Sequence, residues 1–357
     1  MNIFSNMINY SIIIPHYNIP DLLARCLRSI PERDDVQVIV VDDNSPGHEN
    51  YLGAIPELSR KNVEFYATVD GLGAGHARNI GLNHAVGKWL VFADSDDFFV
   101  ENFSDILDEY VNSPSDIIYF NTMVCDCYDT SKVFSTKGKE YIFQKYHDTS
   151  NDIYLRICYT EPWGKLMKNR LVANNDIKFQ ETKAHNDLLF AVKAGLAAES
   201  VQAVDCPLYW YVIREGSLGH QTGPEPLAKV CDRLKAWHET QLLLESKGIR
   251  TNIYLPVHTY LTASKRDFNT FFKLLLFMKN NGMSVGRTLW GAFKYLLLRV
   301  INKESLSFDN LLSSDSVALY TQKQGRSAAI TQLGGGVKNS NNTAAYGTLQ
   351  VELKLAA

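Results

Sequence analysis

Over its first 120 residues the chain alternates short apolar runs with helically spaced ones. Residues 11–14 are β-branched after Ser11 and are closed by Pro15. Leu22, Leu23, Cys26, Leu27 and Ile30 then fall on one face of a helix starting near Pro20, a residue suited to a first turn. Residues 36–41 are apolar or uncharged without strict alternation, the pattern of a strand buried on both faces. Residues 63–67, 89–93 and 117–120 repeat the theme, with helices predicted over 76–85 and near 102–110. Strands separated by helices predict βαβ units and a mostly parallel sheet. Further on, residues 121–146 lean towards strand, 163–172 and 186–195 read as helices, 207–213 as a strand, and 227–303 as mostly helical.

Ligands of such sheets bind beyond the carboxyl ends of the strands. That rule lines up His16-Tyr17-Asn18, Asp42-Asp43-Asn44 and Asp94-Ser95-Asp96-Asp97 along one rim. Asp42 and Asp43 can accept hydrogen bonds from a ligand or face a solvated loop. Asp94, Asp96 and Asp97 fall within four residues. Carboxylates that close repel unless a cation neutralises them, and oxygen ligands suit Mg²⁺ or Mn²⁺. The plainer alternative is an acidic turn capping the next helix. The run Asp70-Gly71-Leu72-Gly73-Ala74-Gly75 leads into a helix but is not a dinucleotide fingerprint, because His76 or Arg78 stands at the third glycine position. Its backbone N–H groups can still hold phosphate, with Arg78 adding a guanidinium.

Composition narrows the class. The 357 residues allow two domains, or one large domain with an appendage, and 45% hydrophobic with 21% charged residues describes a soluble globular chain. A net charge of -3 gives no basic field for nucleic acid. The six cysteines are scattered without a Cys-x-x-Cys pair, as in a cytoplasmic protein with reduced thiols. The first ten residues do not read as a signal peptide, and no apolar run reaches the roughly 20 residues that span a bilayer. Residues 265–303 hold eight Lys/Arg against one acid, Asp267, among many Leu and Phe. That predicts helices lying on an anionic membrane, or a helical subdomain packed on the core. From 314 onward, glycine and asparagine runs predict a flexible tail, and residues 353–357 resemble a vector-derived linker. None of the nine histidines has zinc spacing; His220 follows a Gly-Ser-Leu-Gly turn able to close over a site. No Gly-x-Ser-x-Gly or Walker loop is present.

Four motifs in order then carry a resemblance: Ser11 to Asn18, Val40-Val41-Asp42-Asp43-Asn44-Ser45, Ala77-Arg78-Asn79 with Gly81, and Phe92 with Asp94-Ser95-Asp96-Asp97. Together they resemble the inverting family 2 glycosyltransferases of the GT-A fold. Pro162 to Leu166 and Asn186 to Phe190 are similar to acceptor-side segments of bacterial members, and Tyr209 to Ser217 resembles their closing Tyr-rich, Arg-Glu-Gly-Ser segment. The resemblance implies an α/β, GT-A-like (Rossmann-like) fold: a mixed, mostly parallel sheet flanked by helices, plus a C-terminal helical region. It implies that Pro15, Tyr17, Asp42, Asp43, Asp70, Arg78 and Asp94 line the nucleotide site. Asp96 would bind a divalent metal, Mn²⁺ or Mg²⁺, and Asp187 would be the general base, with Glu181 the next candidate. Trp163, Lys165 and His220 are further candidates for ligand contact. Asn186 stands where the family usually has Glu, and His16 where Thr or Ser is commoner.

The expected organisation is a catalytic domain over 1–226, with a nucleotide half at about 9–120 and an acceptor half at about 121–226. A helical region follows over 227–313, then a tail over 314–357. The expected partners are a nucleotide-sugar donor, most simply a UDP-sugar, and a glycan or lipid-linked acceptor in surface polysaccharide biosynthesis, at the cytoplasmic face of the membrane. The rival readings are a nucleotidyltransferase that makes a nucleotide sugar and a non-catalytic nucleotide- or sugar-binding module. The first of these wants a basic glycine-rich loop after the first strand, where this chain has Pro15-His16-Tyr17-Asn18.

Overall fold

The computed structural model describes residues 7–214, 225–251, 255–264 and 267–302. The nucleotide half runs β1 (Tyr10–His16), α1 (Pro20–Arg28), β2 (Val36–Asp42), α2 (Tyr51–Ala54), β3 (Val63–Ala67), α3 (Ala74–His84), β4 (Trp89–Phe92), β5 (Phe98–Phe99) and α4 (Phe103–Tyr110). It continues with β6 (Ile117–Asp126), β7 (Val133–Phe134), α5 (Lys137–Thr149), α6 (Ile153–Cys158), β8 (Lys165–Lys168), α7 (Asn169–Asn174), α8 (Leu188–Ala197) and β9 (Val201–Ile213). Four helices close the described chain: α9 (Leu227–Ser246), α10 (Val257–Ser264), α11 (Phe268–Asn280) and α12 (Val285–Asn302).

The strands form one mixed sheet in the order β3-β2-β1-β4-β8-β6-β9-β5, with β7 on β6. Its long ladders, β1 with β2 and β6 with β9, are parallel, while β4–β8, β6–β8 and β5–β9 are short antiparallel pairs. Both faces of β1 are buried. Ile13 packs with Ile39, Val41 and Phe92 in one cluster, and Ile12 and Ile14 pack with Val38, Val40 and Leu23 in the other. Alternate side chains of a strand point to opposite faces, so a strand buried on both reads as a continuous apolar run. Pro15 is tolerated in this central strand because pairing with β4 ends at Ile13.

Three local expectations are revised by the tertiary structure. The helix expected over residues 163–172 is not formed as such: Lys165–Lys168 form β8, with a helix only from Asn169. Met167 and Leu166 pair with Leu90 of β4 and Ile118 of β6, so the strand bridges the two halves of the sheet, and that pairing overrides a short helical pattern. Residues 121–146, expected to lean to strand, extend β6 only to Asp126, and helix α5 begins at Lys137. Ile142 and Phe143 are buried from that helix. β9 is longer than expected: it starts at Val201 and skips Asp205 and Cys206 at a register shift opposite Phe120 and Asn121. All six cysteines are free thiols.

Helices α9 to α12 build their own apolar cluster from Leu234, Val257, Tyr260, Leu274 and Met278. Helix α9 also sends Ala236 and Leu244 into the cluster beneath the sheet, which fastens the helical region to the catalytic half. Among the described residues no helix is long and apolar enough to cross a membrane.

Helix α3 approaches β1 closely at Gly81, where an added Cβ would lie 2.4 Å from Ile13 Cγ2. The Gly81→Ala variant gains about 1 kcal/mol of helix propensity but overpacks the core at a cost of about 1–3 kcal/mol. A net fall in denaturation midpoint is expected. In an Ile13→Ala background the same change should be neutral or stabilising, and a double-mutant cycle without that coupling would contradict the packing argument.

Candidate active site

The rim anticipated from the strand ends is present. β1 and β2 finish in register at His16 and Asp42, and the Ala93 N–H reaches Ile13 O beside them. The chain leaves β1 and β2 through left-handed residues, Asn18 (φ 52°) and Asn44 (φ 63°), a conformation asparagine adopts more readily than most residues. Asp42 is fully buried and holds this turn: its carboxylate accepts from Ser45 N and Ser45 Oγ, each at 2.7 Å. Ser45 Oγ in turn accepts the Asn18 N–H at 2.7 Å, which ties the two strand ends together. His16 is buried, with Nε2 3.8 Å from Asp42, and burial pushes its imidazole down to about 4, so the ring is neutral. Tyr17 is 57% exposed on the rim, whereas Pro15 is buried in the sheet.

Asp43 organises the glycine-rich turn. Its two oxygens accept the N–H groups of Leu72 (3.1 Å) and Gly73 (2.8 Å). Burial pushes its carboxyl above the ordinary range, against those hydrogen bonds. Gly73 needs its glycine, with φ at 102° and Thr182 O only 3.3 Å from where a Cβ would stand. Asp70 sits exposed at the start of the same turn, and Lys183 Nζ donates to Gly71 O.

Arg78 is the junction of the site. It lies in the second turn of α3 and is almost fully buried. Nη1 donates to Asn186 Oδ1 at 2.8 Å and Nη2 to Asp94 Oδ1, while the guanidinium carbon stands 5.3 Å above the Phe179 ring. The asparagine that departs from the family pattern therefore has a structural role, because its carbonyl accepts from Arg78.

The three acids after β4 have separate surroundings. Asp94 pairs with Arg78 and is part-exposed. Asp96 accepts from Arg214 Nε at 2.7 Å; burial and then Asp94 raise its carboxyl, and Arg214 opposes them. Asp97 is fully buried and clamps β9 through the Val212 N–H at 2.7 Å. Burial, Asp96 and Asp94 push Asp97 well above the usual carboxylate range. Carboxylates crowded enough to raise one another are a setting in which an added cation is favoured. Among the described residues no group of three His, Cys, Asp or Glu forms a metal cage. A cation that keeps waters and takes diphosphate oxygens needs only one or two protein carboxylates, so Asp96 fits such a role.

Asp187 occupies the N-cap position of α8, but its side chain makes no capping hydrogen bond. Burial pushes its carboxyl up to about 6, with Arg78 pulling it down and Glu161 and Asp94 adding to the rise. Helix α8 is held at its other end by Arg156, which donates to Gly195 O and Ala198 O. Glu181 lies apart on the surface, where it accepts from Asn79 Nδ2 and stands 3.1 Å from His76 Nδ1.

Trp163 and Lys165 form the floor rather than the wall. Trp163 is buried and stacks on Tyr209 (5.3 Å) and Tyr211 (5.6 Å). Lys165 is buried, donates to the carbonyls of Tyr159 and Glu161, and is pushed down to about 7 by burial and by Lys139. Sequence reading missed Lys139 and Glu161, and it noted Arg214 only as part of the Tyr209 to Ser217 segment without a role. Lys139 pairs with Glu161 and sits 3.6 Å from the Tyr159 ring centroid, and no motif or spacing announces it. His220 lies outside the described residues.

Residues 11–170 match the family model described as glycosyl transferase family 2. The chain is 28% identical over 226 residues to the poly(ribitol-phosphate) beta-N-acetylglucosaminyltransferase TarS of Staphylococcus aureus, covering 59% of this chain and 36% of TarS. It is 28% identical over 261 residues to the glycosyltransferase GlyA of Streptococcus pneumoniae, covering 70% of this chain and 36% of GlyA. The chain thus spans little more than a third of the length of these relatives. The crystal structure of S. aureus TarS residues 1–349 in complex with UDP-GlcNAc superposes with a TM-score of 0.53 at 20% identity, over 74% of this chain and 73% of that one. Sheet order and the superposition agree that the fold is GT-A, and residues 11–170 of that fold match glycosyl transferase family 2.

Proposed function

We propose that the chain transfers a sugar, with inversion, from a UDP-linked donor to a hydroxyl of a glycan or lipid-linked acceptor of a surface polymer. The observation that carries this reading is Asp187. An acid at a helix start that makes no capping bond, with its carboxyl raised to about 6, is free to accept a proton near neutral pH. The donor class is supported by TarS, whose solved structure is a complex with UDP-GlcNAc. The acceptor class is supported by TarS and by a Bacillus spizizenii relative, 29% identical, both named for transfer to poly(ribitol-phosphate).

In this reading the nucleotide lies across the rim between Tyr17 and the Asp43-held turn, with Arg78 and Asp94 beneath it. Asp187 takes the proton from the acceptor hydroxyl. The new bond forms from that oxygen to the anomeric carbon as the bond to the diphosphate breaks on the opposite face, and UDP leaves with the electron pair. A divalent cation held at Asp96 would supply charge stabilisation to the departing diphosphate. Arg214, which pairs with Asp96 in this structure, would then be released towards solvent or phosphate. A nucleotidyltransferase would need a basic loop after β1, and the Asn18 turn held by Ser45 offers none.

Two variants, a pH profile and a chelation series test the assignment. Asp187→Asn should lower transfer from UDP-GlcNAc by about 10²–10⁴-fold while leaving donor affinity and melting temperature intact. Near-normal turnover would remove Asp187 as the base, and a wild-type chain that binds UDP-sugar yet never transfers or hydrolyses it would favour a binding module. The pH profile should show an acid limb near pH 6, with kcat/KM falling as pH drops and Asp187 takes up a proton. The linkage runs the same way. The folded carboxyl titrates above its unfolded value, so its ionised form is disfavoured by folding, and the neutral Asp187→Asn variant should be no less stable than wild type at pH 8. For the cation, chelator should abolish transfer and Mn²⁺ restore it. Asp96→Asn should lose that restoration without unfolding, and activity indifferent to chelator would remove the metal role.

A further inference from the structure

Helices α11 and α12 turn their inner faces onto α10 and leave large apolar side chains facing out. Leu274 and Met278 of α11 are buried, while Phe268 (79% exposed), Phe272 and Leu276 (60%) repeat at four-residue spacing along its outer side. In α12, Thr288 and Ala292 are buried, and Leu289, Trp290 (68%) and Phe293 are exposed. Six large apolar residues on the outer sides of two consecutive helices are more than the scattered exposure normal for a soluble surface. Rings cluster within these faces: Phe272 meets Phe268 at 4.8 Å, and Trp290 stacks with Phe293 at 5.8 Å.

Charge says what covers them. Residues 268–302 contain five Lys/Arg and no Asp or Glu, in a chain whose net charge is -3. Lys279 is exposed and follows Phe272 by seven residues and Leu276 by three, so helical spacing sets it on the same stripe. Lys273 is exposed beside Phe272. Arg287 is exposed and pairs with Glu245 of α9. A second protein that buried these faces would have to desolvate Lys279 or supply an acid for it. A lipid interface takes aromatic rings and Leu into its acyl boundary and leaves lysine heads among anionic headgroups.

We propose that the outer faces of α11 and α12 dock the enzyme on an anionic lipid bilayer, lying in the interface and not crossing it. Docking requires no sugar donor, so its test is independent of the transfer reaction. The probe is the full chain with vesicles of phosphatidylcholine alone or mixed with phosphatidylglycerol. Flotation with the mixed vesicles is expected, weakened by high salt and about tenfold poorer with neutral vesicles. Trp290 fluorescence should shift to the blue on binding, a change absent in Trp290→Phe after subtraction. Phe272→Ser with Trp290→Ser should abolish flotation, and Lys273→Glu with Lys279→Glu should remove the preference for anionic lipid. UDP-sugar binding by each variant checks that the fold is kept. Absence of wild-type flotation with either vesicle overturns the proposal without reference to any variant. So does a concentration-dependent dimer that Trp290→Ser dissociates in a chain that never binds vesicles.

Discussion

A buried guanidinium, that of Arg78, joins the two halves of the site. It reaches Asp94 at the end of β4 with one nitrogen and Asn186 at the start of α8 with the other. A charge taken so far out of water is tolerable only when paired and hydrogen-bonded, and removing one partner of such a pair typically costs about 3–5 kcal/mol. The requirement is mutual. Asp94 gains a counter-charge, Asn186 fixes the chain just before Asp187, and Phe179 is stacked beneath. Asp94, proposed to lie beneath the nucleotide, and the segment carrying Asp187, proposed to accept the proton, are thereby tied to one side chain.

A similar division of labour governs the rim. Asp42 and Asp43 are adjacent, and each directs its carboxylate to backbone: Asp42 to the turn after β2, Asp43 to the glycine loop before α3. Pre-formed loops lower the cost of ordering them when a nucleotide arrives. Glycine is required where those loops pass close to other backbone. At Gly75 an added Cβ would stand 2.1 Å from Gln180 O, so α3 and the segment leading to Asp187 can only approach this closely without a side chain between them.

Beneath this layer, Trp163, Tyr159, Tyr209 and Tyr211 make an aromatic floor crossed by Lys139 and Lys165. Burying two ammonium groups is costly, and here Glu161, two carbonyls and ring faces offset the cost. The resulting field also reaches Asp187, because Glu161 adds to the rise of its carboxyl. Burial is the larger cause of that rise, and Glu161 adds to it from beneath the site.

How much of this was legible beforehand follows from what kind of information each feature needs. Strands β1, β2 and β4 are largely apolar runs because they are buried on both faces, and β3 at the sheet edge keeps a shorter mixed pattern, so β1 to β4 and their polar ends could be read from the chain alone. The order of four motifs was enough to carry the likeness that residues 11–170 bear to family 2, since each motif sits at a strand end or helix start that the backbone itself defines. Tertiary structure decided whatever depends on partners distant in sequence. β8 is a strand only because β4 and β6 flank it, and a local helical pattern cannot register that pairing. Asn186 acquires its meaning from Arg78, 108 residues away, and Asp96 its counter-ion from Arg214, 118 residues away. Spacing along the chain holds no trace of such pairs, because ion pairing and burial are properties of positions in space.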